Sequence, residues 1–131
     1  MPILGAIGIS FDDYGIEDVD HAGWATAVWE PTAMACNPHG TVQAGVHGVV
    51  LDAAMNFAVN AGLSRHDRTK ATIELKTETM RPAAAGEKLA VRGAVVRETR
   101  QIAFAEARIE NSEGLLVSRA TGTFLLHRAD S

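Results

Sequence analysis

The sequence predicts an α+β fold in which an antiparallel sheet of about six strands wraps around one long central helix. Three observations carry this expectation. A segment from about Ala44 to Leu63 is apolar over most of its circumference, and as a helix it would run near 30 Å at ~1.5 Å per residue. Four later runs alternate apolar and polar residues with period two, the pattern of an antiparallel sheet with one wet face. Two shorter strand-like stretches precede the helix.

In chain order, Met1 to Ile9 is apolar but short, and no basic segment precedes it, so it is not read as a signal peptide. Two short strands are expected between about Gly15 and Thr32, divided by the turn-like Asp20-His21-Ala22-Gly23. The second, Trp24 to Trp29, is aromatic and β-branched and stops before Pro31. A polar loop, Asn37-Pro38-His39-Gly40-Thr41, leads into the helix. The helix holds no lysine, arginine or glutamate, and a helix apolar all round is expected to be buried all round. The later strands are expected at about Ala71–Met80, Glu87–Glu98, Ile102–Glu110 and Leu115–Leu126. Turn residues at Pro82–Gly86, Glu98–Arg100 and Asn111–Gly114 would join them as a four-strand meander. In the first run Ile73 and Leu75 oppose Glu74 and Lys76, and parity places Thr72 on the polar face.

Composition narrows the function. The 131 residues fit a single domain, and no repeat or linker divides positions 1–131. A net charge of −4 offers no basic excess for nucleic acid. No apolar run approaches the ~20 residues of a membrane span. The one cysteine, Cys36, has no internal partner, which fits a reducing cytoplasm, and its neighbours Met34, Ala35 and Asn37 offer no group to activate it, so it is read as a small core residue.

The chemistry concentrates between Asn37 and Asp52. Aspartate is a poor helix former, yet Asp52 sits mid-helix, on a stripe with Gly45, Gly48, Met55, Asn56 and Val59. A carboxylate on an apolar helix is expensive unless paired or used. A structural aspartate bonded to a neighbouring helix or backbone is the plain alternative. Gln43-Ala44-Gly45 opens the helix, where unpaired N–H groups can receive a developing oxyanion. His39, His47 and Asp52 lack metal-ligand spacing, so no metal and no cofactor are expected.

Three segments in order carry a resemblance. They are Asn37-Pro-His-Gly-Thr-Val-Gln-Ala-Gly45 followed by Asp52, Thr72 through Arg81-Pro82 to Gly86, and Gly114 to Phe124. Together they resemble the phenylacetate-degradation-type, 4-hydroxybenzoyl-CoA thioesterase-like branch of the hotdog-fold acyl-CoA thioesterases. The resemblance implies that Asp52 acts as nucleophile or as general base for water. It implies that the Ala44 backbone N–H polarises the thioester carbonyl, that Asn37 positions substrate or nucleophile, and that Thr72 holds the attacking water. Gln43, Gly45, Asn56 and Arg81 would contact substrate. The family works as a dimer or tetramer, with Asn37 and Ala44 of one chain facing Asp52 and Thr72 of another. This chain departs from the family in having Gln43-Ala44-Gly45 where His-Gly-Gly is frequent, which removes a titrating histidine and narrows the approach to the N–H. Two rival readings fit the sequence less well. A hydroxyacyl-thioester dehydratase needs a histidine setting absent here, and acyl-CoA-binding modules usually carry an attached DNA-binding domain.

Overall fold

The computed structural model describes residues 1–129. The order is helix α1 (Pro2–Ile7), strands β1 (Ile9–Ile16) and β2 (Gly23–Trp29), a 3-10 turn at Ala33–Ala35, helix α2 (Ala44–Gly62), and strands β3 (Arg68–Thr79), β4 (Leu89–Glu98), β5 (Ile102–Glu110) and β6 (Leu116–His127). The strands form one antiparallel six-stranded sheet in the order β1-β2-β4-β5-β6-β3. It curls around α2 as a hotdog fold.

Three expectations need correction. The first strand lies earlier than Gly15, at Ile9–Ile16, and a short helix precedes it. Pro2 sits at the start of α1 and Gly8 closes it with φ +95, its N–H bonded to the Leu4 carbonyl at 3.1 Å, so the signals were proline at the start and glycine at the end. The later strands are not a four-strand meander. Only β4-β5-β6 meander, and β3 lies at the far edge against β6. The Pro82–Gly86 stretch does hold a turn, Glu87 N–H to the Ala84 carbonyl, but within a crossover that bonds Val42 N–H to the Ala83 carbonyl. Finally, α2 is not sealed all round. Val49, Asp52 and Asn56 are half-buried and Asn60 is exposed, because a single sheet covers only part of a helix.

The covered part of α2 is fixed by close approach. A Cβ on Gly93 would lie 2.3 Å from the Ala54 carbonyl oxygen, and one on Gly23 would lie 2.0 Å from that of Ala58. Only glycine lets the helix backbone rest directly on β2 and β4. Around this seam pack Leu51, Met55, Leu89, Ile109 and Phe124, all buried. Trp29 is buried too, and its indole N–H donates to the Ile7 carbonyl at 2.8 Å, which ties α1 to the sheet. The alternation expected for β5 holds, with Ala103, Ala105, Ala107 and Ile109 buried. Cys36 is half-buried at the margin of the core.

Candidate active site

On the open line of α2, Asp52 meets two hydrogen-bond donors. Thr72 Oγ1 donates to Asp52 Oδ1 at 2.9 Å. Asn56 Nδ2 donates to the same oxygen at 3.3 Å and to the Asp52 carbonyl at 3.1 Å. Both side-chain donors reach Oδ1. Among the described residues none bonds Oδ2, which leaves that oxygen its lone pairs for an incoming group.

Thr72 reaches Asp52 against its sequence parity. The β3–β6 ladder is broken twice, between Thr69 and Ala71 and between Thr72 and Glu74. Lys70 and Ile73 are therefore looped out, and each bulge reverses the alternation that follows. Thr72 lands opposite buried Phe124, on the face towards α2, and not with Glu74 and Lys76. Asn56 serves the carboxylate.

A second group lies at the start of α2. Gln43, Ala44 and Gly45 are all exposed. The Ala44 and Gly45 N–H groups find no acceptor among the described residues, while Val46 N–H turns back to the Gln43 carbonyl at 2.9 Å. A Cβ on Gly45 would meet nothing within 4 Å. A Cβ on Gly48 would instead lie 3.8 Å from the Thr77 methyl group of β3. The preceding loop is organised by Asn37. Its Oδ1 accepts from His39 N–H at 3.0 Å and Thr41 N–H at 3.2 Å. That oxygen is committed to the loop, and only the Asn37 amide nitrogen is left for a ligand. Arg81, beyond the end of β3, donates from Nη1 to the Leu116 carbonyl at 2.6 Å and is otherwise exposed.

The two groups do not meet within one chain. Eight residues separate Ala44 from Asp52, or ~12 Å along a helix axis. An attacking atom must stand ~3–3.5 Å from its carbon. Two polar links lie outside the sequence expectations. His47 is 1% exposed and places Nδ1 3.0 Å from Ser118 Oγ, edge-on to Trp29. Burial pushes its imidazole below the ordinary histidine range. Asn60 bonds Thr69, with N–H to Oδ1 and Nδ2 to Oγ1 both at 3.0 Å. Asn56 and Asn60, at four and eight residues past Asp52, were the signal for that polar line.

No three His, Cys, Asp or Glu side chains gather as a metal site among the described residues. No described helix is long and apolar enough to cross a membrane.

The six-stranded antiparallel sheet curled around one long helix is the fold of the hotdog class of thioester hydrolases. Residues 39–118 match the thioesterase superfamily model, and the chain belongs to that family. It is similar in structure to a phenylacetic acid degradation-related protein from Ralstonia eutropha JMP134, at 26% identity over 95% of this chain and 89% of that one, with a TM-score of 0.80. A thioesterase from Haemophilus influenzae superposes with a TM-score of 0.83 at 17% identity, over 96% of this chain and 82% of that one. The Escherichia coli PaaI protein of the phenylacetic acid degradation operon gives 0.77 at 21% identity, over 98% and 84%. The curated proteins contain no significant match.

Proposed function

We propose that this chain is a single-domain, cytoplasmic acyl-CoA thioesterase that hydrolyses an acyl- or aryl-CoA thioester in a homo-oligomer, with sites shared between subunits. The observation that carries the reading is the Asp52 carboxylate, oriented through Oδ1 by Thr72 and Asn56, with Oδ2 unengaged among the described residues. Asp52 either takes a proton from water or attacks the carbonyl carbon itself. In the first route hydroxide adds to that carbon, the carbonyl becomes an oxyanion, and the carbon–sulfur bond breaks as coenzyme A leaves and takes up the proton. In the second route Oδ2 adds to that carbon, and the carbon–sulfur bond breaks as coenzyme A leaves as its thiolate. Water then opens the resulting mixed anhydride, releasing the acid, restoring Asp52 and supplying the proton the thiolate takes up. Both routes need donors at the oxyanion. The unpaired Ala44 and Gly45 N–H groups supply them from a neighbouring subunit, since those of the same chain lie too far along the helix. Gln43 and the Asn37 amide nitrogen line the same approach, and Arg81 at that end is placed to meet an anionic part of the substrate.

The edge strand β3 supports the shared site. Every residue from Lys70 to Pro82 is exposed, including Ile73 at 55% and Met80 at 42%. A long edge with apolar side chains is normally covered. A two-fold partner along β3 covers it and faces a second α2 towards Asp52. Free-thiol release from a panel of acyl- and aryl-CoA thioesters, alongside sedimentation at micromolar concentration, tests the proposal. Turnover of at least one thioester by a dimer or tetramer is the expected result. A folded monomer, or no release from any of the panel, overturns it.

A further inference from the structure

The register of β3 conflicts with its own hydrophobic pattern. Counted without interruption, Thr69, Ala71, Ile73, Leu75, Thr77 and Thr79 share one face, and Lys70, Thr72, Glu74, Lys76 and Glu78 share the other. That arrangement would turn the apolar residues inward and the charges outward. The structure departs from it. Thr69 pairs with Leu126 while Leu75 pairs with Gly122. Six steps on β3 thus oppose four on β6, and the two surplus residues leave the ladder as the bulges at Lys70 and Ile73. Ile73 remains 55% exposed. Sliding the start of β3 by two residues would remove both bulges, turn Ile73 inward and turn Thr72 away from Asp52.

Something must hold Thr69 opposite Leu126. Within one chain the strand's packing is weak there, because β3 is exposed from Lys70 onward. The direct tie from α2 to Thr69 is Asn60, whose amide takes the Thr69 N–H and donates to its hydroxyl, both at 3.0 Å. Asn60 Nδ2 also donates to the Asn56 carbonyl at 2.8 Å, which orients the clamp. Asp67, just before the strand, is fixed by Ala129 N–H at 2.9 Å and by Arg128 at 3.1 Å. That fixes the strand's start to the C-terminal segment, whereas Asn60 fixes it to the helix that carries Asp52.

We propose that Asn60 is a positioning residue for the Thr72–Asp52 contact: by clamping Thr69 opposite Leu126 it expels Lys70 and Ile73 as bulges and so turns Thr72 onto the carboxylate. The inference rests on the reading of Asp52 as the reacting carboxylate. Bulges beside active sites that re-aim a side chain are a recurring device.

The test measures kcat, KM and Tm for Asn60→Ala, Asn60→Asp, Thr72→Val and the Asn60→Ala/Thr72→Val pair, with Asp52→Asn as the reference. Asn60→Ala is expected to lower kcat about tenfold, the worth of one oriented hydrogen bond in the transition state, with KM within about twofold. Asn60→Asp should recover only part of that, since a carboxylate can accept from both the Thr69 N–H and its hydroxyl but can no longer donate to the Asn56 carbonyl. In the pair the Asn60→Ala loss should vanish, because Thr72→Val has already removed the contact it serves. Wild-type kcat in Asn60→Ala, or losses that multiply in the pair, overturns the inference while an inactive Asp52→Asn leaves the thioesterase reading standing. An active Asp52→Asn overturns both. Should Asn60→Ala not fold, Thr69→Val, which removes only the hydroxyl half of the clamp, carries the same test. About threefold lower kcat, absent from the Thr72→Val background, is then expected, and an unchanged kcat overturns the inference.

Discussion

Helix α2 carries two ionisable side chains with opposite fates, and the contrast explains how this scaffold combines stability with chemistry. His47 and Asp52 stand about 140° apart around the axis at ~100° per residue. His47 points into the sheet, sealed against Trp29 and Ser118. Asp52 points to the open line, where Thr72 and Asn56 hold one oxygen and nothing among the described residues holds the other. A polar group in the sealed position must be satisfied permanently. One in the open position can be left half-satisfied, and the remaining capacity is available to a substrate.

The contrast breaks most sharply by substitution. Asp52→Asn keeps shape but neither attacks nor accepts a proton, so kcat should fall by about 10²-fold or more. Its Tm should change little, since asparagine can still accept from Thr72. A folded Asp52→Asn with near wild-type kcat removes the catalytic half of the comparison. The second measurement concerns the open position's counterpart at the helix start. Gly45→Val should leave Tm intact, because a Cβ there meets nothing within 4 Å, yet block the approach to the N–H groups. Mixed with Asp52→Asn subunits, it should regain about a quarter of wild-type turnover, because half the dimers are mixed and each mixed dimer rebuilds one of its two sites. No recovery on mixing argues against a site shared between subunits. For the sealed position the expectation reverses. His47→Ala should reduce stability by about 2–3 kcal/mol, through a cavity and an abandoned Ser118 hydroxyl, while kcat per folded molecule holds within about twofold. Denaturant unfolding and turnover on one preparation separate the two effects.

How far the sequence revealed this depends on which signal each element leaves. Helix α2 was legible to within a residue, Ala44–Leu63 against Ala44–Gly62, because a long apolar run bounded by polar loops has few other readings. The inward alanines of β5 were legible for the same kind of reason. Pairing order was not, because period-two alternation says which face a residue takes and nothing about which strand lies beside it. The expected meander therefore failed at β3, whose neighbour is β6. Of the site, Asp52 was singled out by its cost in an apolar helix. Thr72 was misplaced because the bulge at Ile73 reverses its parity relative to Glu74 and Lys76, and a bulge set by a clamp from another element leaves no local mark. His47 and Asp52 look alike in the sequence, two polar residues in an apolar helix. Only the sheet's position decides which one is sealed.

The smallest effect probes the sealed side alone. Burial lowers the affinity of His47 for a proton, so the unfolded chain binds that proton more readily than the folded one. The native state is therefore favoured fully above the unfolded value, about pH 6.5, and that advantage is lost as pH falls towards the lower folded value. The slope for one group is at most about 1.4 kcal/mol per pH unit. Two carboxylates also sit below their ordinary range, Asp67 through the Ala129 N–H and Glu78 through Arg119, but their contribution disappears only below about pH 4. Between pH 7.5 and about pH 5 the wild type should lose stability more steeply than His47→Gln, which cannot titrate. Chemical denaturation of both proteins across that window measures the difference. Parallel curves would mean that His47 takes up its proton without opening the packing against Trp29 and Ser118, and the sealed position would be less sealed than its 1% exposure implies.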